Sequence, residues 1–196
     1  MPHADPPLVV VIAGPNGAGK STTAPRLLQE ALSVSEFVNA DAIALGLSAF
    51  RPASVALPAA RVMLARIKAL AKERATFAFE TTLASRSFAP WLSGLRADGY
   101  LVHLLFLSLP NPDLAVARVA ERVRAGGHDV PEAVVRRRYA AGLRAFFHVY
   151  GDVADSWQLL DNADRTSLVE IASRRVGEPA VVVDKAAWNN LMERQR

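Results

Sequence analysis

Nine residues near the start of the chain, Gly14-Pro15-Asn16-Gly17-Ala18-Gly19-Lys20-Ser21-Thr22, limit what it can fold into more than any other stretch. They follow Leu8 to Ala13, a run with the length and β-branching of a buried parallel strand, and precede a segment of helical character. Strand, glycine-rich loop and helix in that order make a phosphate-binding loop. Consecutive backbone N–H groups hold phosphate oxygens, and Gly14, Gly17 and Gly19 let the main chain curl without a Cβ in the way. The amides from Asn16 through Ala18 to Thr22 are therefore the candidate cradle, with the positive end of the following helix aimed at the anion. Lys20 supplies a mobile charge for the outer phosphates, and Ser21 a hydroxyl for a Mg²⁺ that bridges them. A chance glycine-rich turn does not usually carry the complete GxxxxGKS pattern between a strand and a helix. The motif specifies a nucleoside triphosphate such as ATP without saying what becomes of it, since transferases, motor-like ATPases and GTP switches all use it.

A chain of 196 residues is enough for one α/β domain with a real core, over 1–196. No apolar run approaches a membrane span, and the opening MPHADPP lacks the basic-then-apolar layout of a signal peptide, so a cytoplasmic location without membrane contact is expected. The absence of cysteine excludes disulfides, thiolate metal sites and a cysteine nucleophile. A net charge of +4 suits polyanionic ligands, but a nucleotide pocket needs arginines in any case, so nucleic acid is not required.

Further along, Glu36 to Asp41 reads as a short second strand with a polar end. In open α/β sheets ligands bind beyond the carboxyl ends of strands, and Asp41 lies there. Its carboxylate could accept a proton from an attacking hydroxyl, hold Mg²⁺ through water, or cap the helix beginning at Ala42. Pro52 to Arg74 is the longest helical pattern, with Val55, Ala59, Val62, Leu64, Ile67 and Leu70 as its buried stripe. A strand from Thr76 to Phe79 ends in Glu80-Thr81-Thr82, whose carboxylate and hydroxyls suit a polyhydroxylated substrate. The plainer alternative is a turn whose next helix, Phe88 to Ala97, is capped by Ser85 or Ser87. Tyr100 to Leu109 is a central strand; it lacks the terminal Asp of a second Walker motif, which leaves Asp41 as the chief acidic candidate.

A helix from Asp113 to Ala125 carries Arg118 and Arg122 on one face, and a second, from Pro131, carries Arg136, Arg137 and Arg138 beyond a Gly126-Gly127 hinge. Together they read as a helical lid, about 118–147, bringing cations to a transferring phosphoryl group. Successive helical residues point about 100° apart. Arg138 lies beside the core face of Val135, Tyr139, Phe146 and Tyr150 and is the favoured arginine for the pocket, while Arg137 lies away from that face. The last parallel strand, Trp157 to Leu160, ends in Asp161-Asn162, where Asn162 is placed to contact a base. Thr166 to Ser173 and Ala180 to Val183 read as a hairpin of edge strands, and Lys185 to Arg196 as a final helix, together a C-terminal appendage over about 163–196.

With GPNGAGKST, Asn39-Ala40-Asp41, Glu80-Thr81-Thr82 and the segment Arg118 to Tyr139 with GGHDVP and RRRY in view, the sequence resembles the zeta-toxin-like branch of the P-loop kinases. That family is best known for ATP-dependent phosphorylation of UDP-N-acetylglucosamine. The resemblance covers most of Leu8 to Asn162 and implies a P-loop kinase fold, MgATP and an antitoxin protein as a partner, which nothing else in the sequence marks. It implies Lys20 and Ser21 for nucleotide and Mg²⁺, Asp41 as general base, and Glu80 and Thr82 for the sugar nucleotide. It further implies Arg122 as the first lid arginine and Arg118 as the arginine packed on the base. The family's second lid arginine precedes a proline; His128 stands there, so that role passes to Arg137 or Arg138 or is missing.

The expectation is an α/β P-loop kinase fold, a mostly parallel five-stranded sheet flanked by helices under a helical lid, moving the γ-phosphoryl group of ATP to a small-molecule hydroxyl. A nucleic-acid end kinase and a non-catalytic NTP-binding regulatory module are the rival readings.

Overall fold

In the computed structural model, residues 5–127 and 129–195 are described. One seven-stranded sheet has the order β2-β3-β1-β4-β5-β6-β7, and its first five strands in that order are parallel. β1 (Leu8–Ala13) lies between β3 (Phe77–Thr81) and β4 (Leu101–Ser108), parallel to both. Val9 to Ala13 are almost wholly buried, as a strand covered by helices on both faces must be. β2 (Glu36–Val38) pairs with β3 at one edge, and β5 (Ser156–Asp161) with β4 on the other side. Every one of these parallel strands delivers its carboxyl end to the same side of the sheet.

The sheet has seven strands rather than the expected five, the five parallel ones being those expected. The segment 163–196 supplies the other two, as the expected edge strands. β6 (Val169–Arg174) pairs antiparallel with β5 and β7 (Val181–Val182) antiparallel with β6. α8 (Lys185–Arg194), capped by the Asp184 side chain, buries Leu191 in the common core.

The helices follow the sequence pattern with instructive departures. α1 (Lys20–Pro25) contains Pro25, which has no N–H to give to the preceding turn, and the chain runs on from Arg26 to Ala31 as a π-helix. α2 (Ala40–Leu47) begins earlier than expected, because Asn39 accepts the free N–H groups of its first turn. A 3₁₀ turn at Pro52–Val55 leads into α3 (Ala56–Lys72). α3 buries Ala59, Met63, Ile67 and Leu70, while Val62 and Leu64, expected inside, are exposed. The true stripe steps by four and then three, which passes through Met63. α4 (Ala89–Ala97) has no side-chain cap, and Ser85 accepts from the Ser87 N–H in a local turn instead.

α5 (Pro112–Arg124) and α6 (Glu132–Ala145) form the expected helical pair, continued by a π-helical stretch Phe146–Tyr150 and a short α7 (Gly151–Val153). Val135, Tyr139, Phe146 and Tyr150 are buried as predicted, and Tyr139 donates to the Leu109 carbonyl at 2.7 Å. The tryptophans pack: Trp91 against Phe77, Phe79 and Phe88, and Trp157 stacked on Trp188. His103 shares a hydrogen bond with Ser156 within the sheet. No single helix among the described residues is long and apolar enough to cross a membrane.

Candidate active site

The loop between β1 and α1 has the shape its sequence predicts. Gly19 is the residue preceding α1, with φ of 78°, in the left-handed region where a side chain is strained. A Cβ on Gly14 would stand 2.2 Å from the Leu107 carbonyl of β4, so the loop leaves the sheet in contact with the neighbouring strand. Gly14 and the fully buried Ala18 support the loop from behind. Asn16, Gly17, Gly19, Lys20, Ser21 and Thr22 face an open cavity of about 590 Å³.

Nearly every other predicted residue lines that cavity too: Asp41, Glu80, Thr82, Arg118, Arg122, Arg138 and Asn162. It carries five basic side chains and three carboxylates, with Arg165 and Glu121 added to those expected. That excess of positive charge suits a polyanionic ligand that brings its own cation.

Lys20 is nearly buried; its ammonium donates to the Pro15 carbonyl at 3.0 Å and lies 3.6 Å from Glu80. Burial holds its pKa below the usual lysine value, opposed by the charges of Glu80 and Asp41, while Arg122 adds to the depression. A phosphate would stabilise the charged ammonium that burial disfavours.

Glu80, on the last turns of pleat in β3, reaches the phosphate side rather than open solvent. Its Oε2 accepts from the Ser21 hydroxyl at 2.7 Å and from the Asn39 amide at 2.6 Å. β4 ends in Ser108 without an acid, and the carboxylate on Ser21 comes instead from β3. β3 flanks β1 on its other side, and the register pairs Glu80 with Ile12 at the brink of the loop. Ser21, Glu80 and Asp41 offer hydroxyl and carboxylate oxygens only, a donor set that fits a hard cation retaining water and phosphate ligands.

Asp41 lies in the first turn of α2, exposed at the cavity wall. The capping alternative for it falls away, because the Asn39 side chain accepts from the N–H groups of Asp41 and Ala42. Thr81 and Thr82 follow Glu80 at a turn fixed by the Leu83 N–H donating to Thr81 Oγ1. Leu83 itself is buried with φ of 52°, a conformation costly for a leucine.

On the far side, Arg118 is 7% exposed and commits its guanidinium to carbonyls: Asn162 at 2.7 Å, Ala163 at 2.6 Å and Gly17 at 3.5 Å. Desolvation lowers its pKa, with the neighbouring Arg165 charge adding to the effect. Asn162, expected at a base, turns its amide nitrogen to the Ala18 carbonyl at 2.7 Å. Arg118 and Asn162 thus bind the end of β5 to the phosphate loop.

Of the three successive arginines, Arg138 faces the cavity and donates to the Asn16 side chain at 3.4 Å. Arg137 is exposed and Arg136 pairs with Asp113 and Glu132. Arg122 lines the cavity on α5, whereas His128 lies outside the described residues. Arg165, in the loop after β5, forms an ion pair with Glu121 of α5 beside Arg118, and neither residue belongs to a sequence motif.

Comparison with known proteins agrees with this architecture. The AAA_33 family model, described as an AAA domain, matches residues 9–145. An uncharacterized protein of Haemophilus influenzae is 28% identical over 130 residues, covering 66% of this chain and 91% of that one. Among solved structures, a chain of the AvrRxo1-ORF1:-ORF2 complex with ATP superposes with a TM-score of 0.77 at 16% identity, over 98% of this chain. This chain spans only 65% of the length of that one. A structure from the PezAT chromosomal toxin-antitoxin system of Streptococcus pneumoniae gives a TM-score of 0.63 at 14% identity, covering 97% of this chain and 86% of that one.

Proposed function

We propose that this chain, which belongs to the AAA_33 family of AAA domains, is a P-loop kinase that moves the γ-phosphoryl group of ATP to a hydroxyl of a small molecule. The observation that carries the reading is a single cavity in which the phosphate loop, with Lys20 and Ser21, faces Asp41 across open space. A carboxylate placed opposite a phosphate loop can take the proton of an attacking alcohol, a step that passive nucleotide sensing does not require.

Lys20 and the loop amides hold the β- and γ-phosphates. Mg²⁺, when bound with the nucleotide, neutralises charge on those phosphate oxygens, and Ser21 with Glu80 would hold it. Asp41 orients the acceptor hydroxyl in line with the γ-phosphorus and takes its proton as the O–P bond forms and the bond to the bridging oxygen breaks. Arg122 and Arg138 stabilise the charge spread over the transferring group. Arg118 forms the shelf on which the base rests. Thr82, which lines the same cavity as Asp41, binds the acceptor.

The finer assignment is a zeta-toxin-like enzyme with a sugar nucleotide, UDP-N-acetylglucosamine or a related compound, as acceptor. The motifs Asn39-Ala40-Asp41 and Glu80-Thr81-Thr82 support it, as does the likeness to the PezAT structure. An antitoxin protein as partner is part of the same proposal, as is a cytoplasmic location.

The test is transfer of labelled phosphate from MgATP to a panel of acceptors including UDP-N-acetylglucosamine, simple sugars and oligonucleotides. Asp41→Asn should lower turnover by about 10²–10⁴-fold, the usual worth of a general base, with ATP affinity nearly unchanged. An Asn variant with full activity removes Asp41 from the mechanism. Preferential labelling of oligonucleotides moves the assignment to an end kinase.

A further inference from the structure

We propose that Asn39 is a positioning residue that fixes the base-carrying helix and the cation-side groups of the cavity with one amide, an inference that rests on the roles just given to Asp41, Ser21 and Glu80. Its side chain makes four hydrogen bonds to three elements. Oδ1 accepts from the Asp41 N–H at 2.7 Å and the Ala42 N–H at 3.2 Å, closing the first turn of α2. Nδ2 donates to Glu80 Oε2 at 2.6 Å on β3 and to Ser21 Oγ at 3.1 Å on α1. The two backbone donors require the oxygen on their side, so the nitrogen must face the carboxylate. The residue is 8% exposed, which makes an unmet donor or acceptor there costly.

The hydroxyl of Ser21 has one proton and two lone pairs. Its proton goes to Glu80 and one lone pair receives Asn39, which leaves the other for a cation. Rotating Glu80 away would free the Ser21 proton to point at the cation instead. Asn39 is what stops Glu80 from rotating, since it binds the same oxygen that Ser21 uses. The same amide sets where α2 begins, and so where Asp41 stands relative to the phosphate loop.

Capping alone does not explain asparagine here. Serine and aspartate cap a helix as well, but serine is too short to reach Glu80 and aspartate would set a second negative charge against it. The variants Asn39→Ser and Asn39→Ala therefore separate the two functions. Serine keeps a cap for α2 and loses the hold on Glu80; alanine loses both.

The measurements are the thermal midpoint, the affinity for a fluorescent ATP analogue across a Mg²⁺ titration, and the Mg²⁺ dependence of phosphoryl transfer. Asn39→Ser should melt close to wild type, yet need roughly tenfold to hundredfold more Mg²⁺ for tight nucleotide binding and for half-maximal transfer, the scale of one lost bond to a charged partner. Asn39→Ala should show the same Mg²⁺ defect with a lower melting point. In a Glu80→Gln background, Asn39→Ser should add little further Mg²⁺ defect, because the group it holds has changed. Wild-type Mg²⁺ dependence in Asn39→Ser overturns the proposal, and so does full additivity with Glu80→Gln. A wild-type protein that binds MgATP but phosphorylates no acceptor defeats the kinase reading instead, and the binding titration still decides the role of Asn39.

Discussion

Two glycines in helix interiors should respond to the same substitution with opposite sign. Gly94 in α4 has nothing within 4 Å of where a Cβ would stand. Gly94→Ala should therefore gain the usual helix-propensity difference, about 0.8–1 kcal/mol. Gly142 in α6 would put its Cβ 2.4 Å from the Thr82 carbonyl oxygen, beside the turn that follows β3. Ordinary van der Waals contact begins at 3.4 Å, so helix and turn must separate by about 1 Å. Both partners are backbone, and neither can rotate aside. Overpacking of this kind costs about 1–3 kcal/mol, which exceeds or cancels the propensity gain. The expected result is a net loss of about 0–2 kcal/mol for Gly142→Ala. Urea unfolding of both variants, at matched slopes, reads the difference directly. Function sharpens the test: Arg138 lies one turn before Gly142 on the same helix, and Thr82 lies at the cavity. A 1 Å displacement at a positioned group can cost about a hundredfold in turnover, so Gly142→Ala should lose transfer well beyond its loss of stability. Equal stabilisation of the two variants, with unchanged transfer, would show that α6 does not sit on the Thr82 turn.

Other outcomes follow from the same contacts. Asn162→Ala should raise the KM for ATP about tenfold, since the Ala18 carbonyl loses its buried donor and the phosphate loop its brace; steady-state kinetics at saturating acceptor checks it. Arg165→Ala breaks an ion pair whose side chains are 60% and 51% exposed, so chemical denaturation should shift by no more than about 1 kcal/mol, while nucleotide affinity, measured by titration calorimetry, should fall. All three tyrosines are held above the ordinary value of 10.0 by burial, Tyr139 up to about 12. Above that ordinary value the unfolded chain loses phenolic protons that the folded one keeps, so stability is intact below pH 10 and falls as pH rises through the folded values. Tyrosinate absorbance should accordingly lag behind a free-tyrosine titration until the protein unfolds, and Tyr139→Phe should unfold at higher pH.

Much of this was legible in the sequence because the phosphate loop is a local structure. Strand, glycines and helix lie within the eighteen residues from Leu8 to Pro25, and each follows from its own neighbours. The choice of Arg138 over Arg136 and Arg137 was legible for a related reason, since helical periodicity fixes which of three neighbours lies beside Val135 and Tyr139. Strand order was not legible. Nothing in the run from Phe77 to Thr81 states that it lies beside β1, and so the sequence alone points Glu80 at an acceptor rather than at Ser21. The position of Asp41 illustrates a different limit. An aspartate at the head of a helix reads as a cap, and only the Asn39 side chain, two residues earlier, takes that duty away. Met63 against Val62 and Leu64 is a phase error, because several apolar residues in α3 left the buried face open to more than one choice.

Beyond β5 the chain reverses direction, and that reversal sets where this scaffold is free to vary. β6 runs against its neighbour, so its carboxyl end lies on the other side of the sheet, and Arg118 and Asn162 fasten that flank to the loop. The opposite flank ends in the three-residue β2, from which α2 and α3 project with Leu45, Leu47 and Phe50 in solvent. Relatives sharing this scaffold can thus keep a fixed nucleotide berth and change acceptor by rebuilding one margin, with a division of labour imposed by strand polarity alone.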